Sequence, residues 1–387
     1  MVQVQRSPPP AKNMEPIPVL LMSEMLSAGG SERQLVEIAK SLDRRRFTPH
    51  VATLKGGFRQ QELADKGIPV LNLNLDSFAS VKALKAGLRL RNYIKTHSIK
   101  LFHSFDYSTA CFGAPFARMA ATPVVLSSTR AHRSLYRPPY QKLLRLTDPL
   151  AHGMIVNCEA MRNHLIQDES ISPSKIYHCP NGIDLSNFNP QNRERPAFFP
   201  AVLQEATLII GVVCVLRQEK GLATLLEAFA SVSSKYPGLR LAIVGSGPML
   251  AELREQATQL EISGQCHFEP STKNVPTWLG GIDLFVLPSL SEAFSNSLME
   301  AMACGCAVVA SNTGGNPELV KHNHTGLLFE PGNSSSLADC LQQLISQPDT
   351  RQGFASNAAN YVATNLAVQA AAARMGEIYS SFFSSKT

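Results

Sequence analysis

Long apolar runs are missing from this sequence of 387 residues. No run approaches the roughly 18–20 apolar residues of a membrane-spanning helix, so we expect no such helix. The first residues, MVQVQRSPPPAKNMEP, also lack an apolar core. Residues 1–16 are therefore predicted to be a disordered leader rather than a secretory signal.

Cysteine pairs with the CxxC spacing of zinc sites are also missing, although the chain has eight cysteines. Cys304 and Cys306 form a C-x-C pair, but metal binding needs more ligands than we find. We interpret both as small buried thiols, and we predict no metal site. Without an export signal the thiols are expected to be reduced, which favours a cytoplasmic location.

Acidic residues are scarce in the first half of the chain. Residues 1–190 hold 24 Lys and Arg against 14 Asp and Glu, a net charge of +10, whereas residues 191–387 hold 12 against 16, a net −4. A basic half predicts an anionic substrate or surface, such as an anionic membrane, with solvated surface charge as the alternative. The cations are spread over many segments without a nucleic-acid-binding module, so no nucleic acid is expected as a partner.

Short apolar runs alternate with helical patterns along the whole chain, and its length suits two domains. The runs are rich in Val, Ile and Leu without strict alternation, which is typical of parallel strands buried on both faces. The pattern predicts an α/β fold of two Rossmann-like, doubly wound parallel-sheet domains. The predicted strands are Val19–Met22, His50–Leu54, Val70–Leu75, Lys100–Phe105, Val124–Ser128, Met154–Asn157, Leu208–Leu216, Leu239–Val244, Cys266–Glu269, Leu284–Leu287, Ala307–Ala310 and Gly326–Phe329.

A polar stretch with several prolines interrupts this series between residues 185 and 206. It predicts the connection between a first domain over residues 17–190 and a second over residues 191–365. The Ala-rich stretch Arg351–Phe383 is predicted to be helical, with a C-terminal helix over residues 366–387. Because open α/β sheets bind ligands at the carboxyl ends of their strands, we expect the site in these loops, in a cleft between the two domains.

Two glycine-containing loops follow predicted strands. Gly29 and Gly30 precede a helix, where a ligand can approach the backbone closely and an anion can meet unpaired N–H groups. The alternative is a plain turn with Ser31 as the N-cap. The loop from Gly245 to Pro248 can contact a phosphate, but it lacks the full GxGxxG pattern, and a tight turn explains it equally well.

Two cations lie three residues apart in the loop after the first strand of the second domain. Arg217 and Lys220 can both point at one bound anion such as a diphosphate, with solvated surface cations as the alternative. In the first half, His103, His132 and Asp106 lie at or after strand ends. For each of these three residues the two interpretations are a catalytic role and a structural role.

Two glutamates, Glu292 and Glu300, lie seven residues apart in sequence. The first follows the apolar strand Leu284–Leu287, and the second lies about one turn into the next helix, which Ser295 and Asn296 begin. Carboxylates accept two hydroxyl donors at once, so these can bind sugar and ribose hydroxyls, with surface glutamates plus a helix cap as the alternative. The N–H groups at residues 294–296 can face an anion.

Five segments together resemble the retaining glycosyltransferases of family 4, which have the GT-B fold. These segments are SAGGSERQLVEIAKSL, CPNGIDLSNF, LRQEKG, AIVGSGP and SLSEAFSNSLMEAMACGCAVVASNTGGNPELV. They follow the family order, and the resemblance covers about residues 17–380. It implies that the first domain binds the acceptor and the second a nucleotide-diphosphate sugar. It also implies that the last helix returns to the first domain and that the reaction needs no metal or other cofactor.

The resemblance also implies roles for single residues. Arg217 and Lys220 would bind the donor diphosphate, Glu292 the donor sugar and Glu300 the ribose. The further donor-binding residues would be Gly29, Gly30, Gly245, Phe294, Ser295 and Asn296. Two positions depart from the family pattern: Ala293 replaces a common glycine, and the loop at residues 128–133 reads STRAHR where relatives carry a functional histidine. Arg130 or His132 is predicted to fill that role, and His132 joins Glu292, Arg217 and Lys220 as a predicted catalytic residue.

The function implied is transfer of a sugar from a UDP- or GDP-sugar to a hydroxyl acceptor with retention of the anomeric configuration. A glycolipid or surface-polysaccharide precursor is the expected acceptor. The alternatives are an NAD-dependent oxidoreductase, which the missing GxGxxG pattern disfavours, and a non-catalytic protein that binds nucleotide sugars or docks on membranes.

One predicted helix, residues 81–95, is relevant to the question of membrane binding. Val81, Leu84, Leu88 and Ile94 are predicted to share an apolar face, with the cations outside it. The interpretations are a helix packed on the sheet with its cations in water, or cations that join residues 44–46 to hold the domain on an anionic membrane.

Overall fold

The computed structural model describes residues 15–384 except Ala28, Ala79 and Glu194. Residues 1–14 of the predicted leader lie outside the described residues. Within the described part of the chain, no helix has the length and hydropathy to cross a membrane.

Two parallel sheets form the framework of the fold. The first has seven strands, namely β1 Ile17–Ser23, β2 Phe47–Thr53, β3 Val70–Asn72, β4 Leu101–Ser104, β5 Val124–Thr129, β6 Gly153–Val156 and β7 Ile176–His178, in the order β3-β2-β1-β4-β5-β6-β7. The second has six, namely β8 Leu208–Val213, β9 Leu239–Val244, β10 Cys266–Glu269, β11 Leu284–Leu287, β12 Ala307–Ser311 and β13 Leu327–Phe329, in the order β10-β9-β8-β11-β12-β13.

Helices connect these strands. They are α1 Gly30–Ser41, α2 Gln60–Ala64, α3 Val81–Thr96, α4 Tyr107–Met119, α5 Pro138–Thr147, α6 Glu159–Gln167, α7 Ala201–Gln204, α8 Leu222–Ser233, α9 Leu250–Gln259, α10 Val275–Gly281, α11 Asn296–Ala303, α12 Asn316–Leu319, α13 Ser334–Ser346, α14 Pro348–Asn365 and α15 Val368–Ser384. The predicted α/β class with two doubly wound parallel sheets is confirmed.

Several strands differ from the sequence prediction: β3 ends at Asn72 instead of Leu75, and β8 ends at Val213 instead of Leu216. The short strand β7 was not predicted, because three residues between polar neighbours carry no periodicity. The helical stretch Arg351–Phe383 forms two helices, α14 and α15, and α15 lies within residues 366–387, where a C-terminal helix was predicted. The break occurs where Ile183 pairs with the backbone on both sides of Ala367: the Ile183 N–H donates to Leu366 O at 2.8 Å, and the Val368 N–H donates to Ile183 O at 2.9 Å.

Tertiary contacts divide the described chain into two compact units. The first unit contains the described residues up to Ser127, Leu143–His152 and the described residues from Ala372 onward. The second contains Ser128–Lys142 and Gly153–Ala371. The predicted domain boundaries remain a prediction.

Each unit has its own apolar core. In the first unit, side chains from β1, β4 and α3 pack together, among them Met22, Phe102 and Leu90. In the second, one core lies around Phe285 and Leu298, and another around Phe229. Burial of this apolar surface fixes the strands whose carboxyl ends carry the loops described below.

Helix α3 packs with a different face from the one predicted. Its buried residues are Ala83, Ala86, Gly87, Leu90 and Ile94. Only Ile94 of the predicted apolar face is buried, whereas the side chains of the other three residues are exposed: Val81 (76%), Leu84 (57%) and Leu88 (40%). The reason is close helix packing: a Cβ at position 87 would clash with the Phe116 ring of α4, so small residues form the inner face.

Candidate functional site

The order of strands in the second sheet changes direction between β8 and β11, which are neighbours. Loops that leave adjacent strands in opposite directions open a crevice at their carboxyl ends, where α/β proteins bind ligands. The loop after β8 carries Arg217 and Lys220, and the loop after β11 carries Glu292. Three predicted site residues therefore lie at this switch point.

Lys220 and Glu292 form an ion pair there. Lys220 Nζ donates to Glu292 Oε2 at 2.6 Å, and Ser289 Oγ donates to the same oxygen at 3.1 Å. The side chains are 21% and 13% exposed. Burial opposes the lysine charge, but the Glu292 carboxylate outweighs it and raises the pKa of Lys220. The Lys220 ammonium group is thus fixed and charged, and it can donate a further hydrogen bond to a second anion.

Arg217 has a freer position than Lys220. Its side chain is 62% exposed, and its Nη1 lies 3.8 Å from Glu219 Oε1, which is a weak surface contact. The guanidinium can therefore turn toward an anion at little cost in stability.

Helix α11 begins as predicted. Ser295 is its N-cap, with Oγ accepting a hydrogen bond from the Leu298 N–H at 3.3 Å. Phe294 is buried, at 7% exposure, and Glu300 is buried within the helix at 4%. The positive end of α11 thus lies directly after Glu292 in the chain. The donor-binding roles predicted for these residues remain predictions.

A chain of side-chain hydrogen bonds leads from α11 to the loop after β5. Asn181 Nδ2 donates to Asn296 Oδ1 at 2.8 Å, and Asn181 Oδ1 accepts from Arg130 Nη1 at 2.7 Å. Asn181 therefore holds the Arg130 guanidinium near the start of α11. Its sequence signal was the segment CPNGIDLSNF, in which the asparagine had no assigned role.

Two glycines are required by close backbone contact. Gly314, with φ +54°, lies so close to the Glu292 carbonyl oxygen that a Cβ would clash with it. Gly245, a predicted donor-binding residue, has φ +153°, and a Cβ there would clash with the Cys214 carbonyl oxygen. Gly245 thus allows the loop after β9 to pack on the loop after β8, and Gly314 allows the loop after β12 to pack on the loop after β11.

A cavity of about 260 Å³ lies within the second unit, beside Glu292, and both polar and apolar atoms line it. Its walls come from α6, the loops after β11 and β12, and the loop that contains His132. The lining side chains with hydrogen-bonding groups include His132, His164, Asp168, Ser291, Glu292 and Thr313. The structure thus brings two predicted catalytic residues, His132 and Glu292, to one cavity.

His132 lies against His164, with ring centroids 3.7 Å apart and ring planes inclined at 33°. Its Nδ1 accepts a hydrogen bond from the Ser134 N–H at 3.3 Å and lies 2.7 Å from Ser134 Oγ. Burial lowers the pKa of His132, and the neighbouring His164 adds to this effect. His132 is therefore neutral near pH 7.

The cluster of His132, His164 and Asp168 has ligand atoms within 4.8 Å of one another and is a candidate metal site among the described residues. Its hydrogen bonds do not suit a metal. The Arg133 N–H donates to His164 Nε2 at 3.2 Å, so the proton of His164 lies on Nδ1, which donates to Asp168 Oδ2 at 2.6 Å. A metal on Nδ1 would move that proton to Nε2 and set two N–H groups against each other.

The predicted glycine loop lies in the first unit. Gly29 is the N-cap of α1, and Gly30 is the first residue of that helix. The Glu32 carboxylate fills the position expected for an anion: its Oε2 accepts from the Gly29 N–H at 2.9 Å and from the Ser27 N–H at 3.0 Å. An incoming anion would have to displace this carboxylate.

The other candidates of the first unit have structural partners. His103 is fully buried, and its Nδ1 lies 2.7 Å from Tyr379 Oη. Asp106 caps α4 by accepting from the Thr109 N–H at 2.9 Å, and burial raises its pKa to about 6.

The sequence analysis missed His164, Asp168 and Glu318. His164 and Asp168 lie four residues apart at the end of α6, a spacing that places two side chains on one helix face and was available as a signal. Glu318 accepts hydrogen bonds from the backbone N–H groups of Glu159 and Ala160, so it caps α6 from a distant part of the chain. Nothing in the local sequence indicates that contact.

Family comparisons match both halves of the chain. The family described as "Glycosyltransferase Family 4" matches residues 28–187, and the family described as "Glycosyl transferases group 1" matches residues 194–361.

Individual relatives agree with these families. The D-inositol 3-phosphate glycosyltransferase of Thermobifida fusca is 29% identical over 84% of this chain and 82% of its own length. The GDP-mannose-dependent alpha-(1-6)-phosphatidylinositol monomannoside mannosyltransferase of Mycobacterium tuberculosis is 27% identical over 68% of this chain and 71% of its own. The crystal structure of HepE from Anabaena, in complex with UDP and glucose, has a TM-score of 0.79, 23% identity, and coverage of 94% of this chain and 99% of that chain.

Proposed function

Since the chain belongs to the family 4 glycosyltransferases with the GT-B fold, we propose that it transfers a sugar from a UDP- or GDP-sugar to a hydroxyl acceptor with retention of configuration. The observation that carries the proposal is the Lys220–Glu292 pair at the switch point of the second sheet. The Mycobacterium tuberculosis relative, named as GDP-mannose-dependent, and HepE, in complex with UDP and glucose, support a nucleotide-sugar donor.

The leaving diphosphate gains negative charge as its bond to the sugar breaks. Lys220, held by Glu292, and the exposed Arg217 can stabilise that charge, together with the positive end of α11. The attraction between these groups and the diphosphate is stronger inside a partly dry cleft than in water, since a low dielectric strengthens charge interactions. In this role they act on the transition state more than on the bound donor.

We propose that Glu292, besides binding Lys220, binds hydroxyl groups of the donor sugar. Glu292 lines the cavity, which at about 260 Å³ suits one sugar ring rather than a whole nucleotide sugar. We propose that the acceptor hydroxyl attacks from the face that the diphosphate leaves: the sugar–phosphate C–O bond breaks as the glycosidic C–O bond forms, and the hydroxyl proton passes to the leaving diphosphate. This retains the anomeric configuration without a sugar bound covalently to the chain.

No metal takes part in this proposal, because Arg217 and Lys220 supply the positive charge that the diphosphate needs. Turnover should be unchanged after treatment with EDTA. Loss of turnover that added magnesium or manganese restores would contradict this part of the proposal.

The experiment that tests the proposed function has two steps. A thermal-shift screen of UDP, GDP, UDP-glucose and GDP-mannose identifies the nucleotide, since a ligand that binds the folded state raises the melting temperature. Proton NMR of the product made from that donor then reports the anomeric configuration. An inverted product would contradict retention, and no stabilisation by any of the four ligands would contradict the donor class.

The exposed face of α3 supports an acceptor carried by a membrane. Val81, Leu84 and Leu88 are exposed there beside the exposed cations Lys82 and Lys85. Apolar side chains can enter the headgroup region of a bilayer while neighbouring cations bind anionic lipids. We propose that this face, called the α3 face, docks on an anionic membrane surface.

A further inference from the structure

A gap separates the His132 ring from the Asp168 carboxylate, with a hydrogen-bond donor on the histidine side and an acceptor on the aspartate side. His132 Nε2 and Asp168 Oδ2 are 3.6 Å apart, which is too long for a direct hydrogen bond. Both residues line the cavity that Glu292 also lines.

Backbone contacts determine which atom of His132 carries the proton. The Ser134 N–H donates to Nδ1 at 3.3 Å, so Nδ1 is an acceptor. A neutral imidazole has one protonated nitrogen, and here it must be Nε2. The Nε2–H donor therefore faces Asp168 across the gap.

His164 determines the state of Asp168 in the same way. The Arg133 N–H occupies His164 Nε2, so His164 Nδ1–H donates to Asp168 Oδ2 at 2.6 Å. This hydrogen bond lowers the pKa of Asp168, and the carboxylate stays ionised at neutral pH. A carboxylate oxygen can accept a second hydrogen bond besides the one from His164.

We propose that His132 Nε2–H and Asp168 Oδ2 together bind one hydroxyl group of a sugar. A hydroxyl group both accepts and donates, so it can accept from Nε2–H and donate to Oδ2. His164 is a positioning residue, because it holds the Asp168 carboxylate and its ring contacts the His132 ring. The inference rests on the proposed function and adds Asp168 to its sugar-binding residues.

Ring-nitrogen NMR of ¹⁵N-histidine-labelled protein tests the proton positions without requiring turnover, with His132→Gln to assign the His132 signals. We expect a protonated Nε2 and an accepting Nδ1 in the wild type. Addition of UDP-glucose or GDP-mannose should move the Nε2–H signal in the wild type but not in Asp168→Ala. A proton on Nδ1 would overturn the proposal.

UDP and GDP without sugar distinguish the source of the hydroxyl. A shift with a nucleotide sugar but not with its nucleotide assigns the hydroxyl to the donor. If neither nucleotide sugar moves the signal, but Asp168→Ala still impairs transfer, the hydroxyl belongs to the acceptor.

Turnover of the same donors provides the second test. Asp168→Ala and His164→Gln should lower kcat/KM by about 10- to 100-fold, because a hydrogen bond to a charged group is lost or misplaced. The Kd of UDP and GDP should not change. Glu159→Gln, at the other end of α6 and about half exposed, is the matched control and should behave as the wild type.

The outcomes separate the two proposals. The hydroxyl site alone would be overturned by two results together. Asp168→Ala would have the same turnover as Glu159→Gln, and neither nucleotide sugar would move the His132 ring signal in the wild type. A wild-type protein that turns over neither donor would contradict the proposed function, and the ring shift would still decide the hydroxyl site. If both turnover and ring shift are absent, both proposals are wrong.

Discussion

At the scale of single residues, Arg217 should affect turnover far more than stability. Arg217→Ala should lower turnover of the nucleotide sugar by at least about 100-fold, since it removes a charge that stabilises the leaving diphosphate. The melting temperature should change little, because the side chain is 62% exposed and its ion pair is weak. Arg254→Ala, another exposed arginine of the second unit, is the control, and equal turnover in the two variants would remove Arg217 from the site.

The two glutamates should separate binding from turnover. Glu300→Gln should weaken the binding of UDP or GDP measured by calorimetry, because a ribose contact is lost. That contact is equal in the ground and transition states, so its loss affects binding rather than kcat. Glu292→Gln should mainly lower kcat, since contacts with the donor sugar tighten as the bond breaks and since Lys220 loses its ionic partner.

The exposed Glu252→Gln of α9 is the control for both glutamate substitutions. An unchanged nucleotide Kd in Glu300→Gln would exclude the ribose role.

At the scale of elements, the α3 face should govern membrane binding. Co-sedimentation with vesicles that contain anionic lipid should be strong at low salt and weak at high salt. The double variant Lys82→Glu/Lys85→Glu should weaken it by about 30-fold or more, at roughly 1 kcal/mol for each cation lost. Leu84→Ser should weaken it further by removing apolar area.

The control for the α3 face is Lys175→Glu, an exposed lysine on a short turn before β7. Equal sedimentation of the wild type with neutral and anionic vesicles would leave the cations of α3 as ordinary surface charge.

The sequence predicted elements better than it predicted their faces. Strands β9 and β11 have the predicted bounds, because runs of Val, Ile and Leu are a strong signal when both faces are buried. The edge strand β10 also has the predicted bounds, although its four residues are only half-buried. The prediction of the inner face of α3 was wrong, since hydrophobicity alone does not show that a neighbouring helix requires small residues such as Gly87. Packing between elements is information that a single periodic pattern lacks.

The same limit applies to the site. Arg217, Lys220 and Glu292 could be predicted, because each follows a strand, and carboxyl ends of parallel strands share one edge of a sheet. Asn181 could not, since its partner Arg130 is distant in sequence. The spacing of His164 and Asp168 was an available signal, but the approach of the distant His132 to Asp168 was not. Long-range polar contacts leave no local pattern.

At the scale of the whole molecule, His50 should make stability depend on pH. Its side chain is 7% exposed, and burial, followed by the nearby His97, lowers the pKa of His50 to about 4. Between about pH 6.5 and this value the unfolded chain binds a proton that the folded chain does not, so stability falls as the pH falls.

Urea unfolding at pH 7 and pH 5 measures this effect. His50→Gln should lose less stability between the two pH values than the wild type, by about 1–2 kcal/mol. The same loss in both proteins would mean that His50 does not titrate as the structure indicates.

The central claim is that the Lys220–Glu292 site transfers a sugar from a nucleotide diphosphate. Nucleotide release from UDP-glucose and GDP-mannose, measured for the wild type, Lys220→Ala and the exposed control Lys235→Ala, tests it most directly. We predict release of UDP or GDP by the wild type and by Lys235→Ala, and a rate at least about 100-fold lower for Lys220→Ala. Equal release by Lys220→Ala and Lys235→Ala would contradict the account.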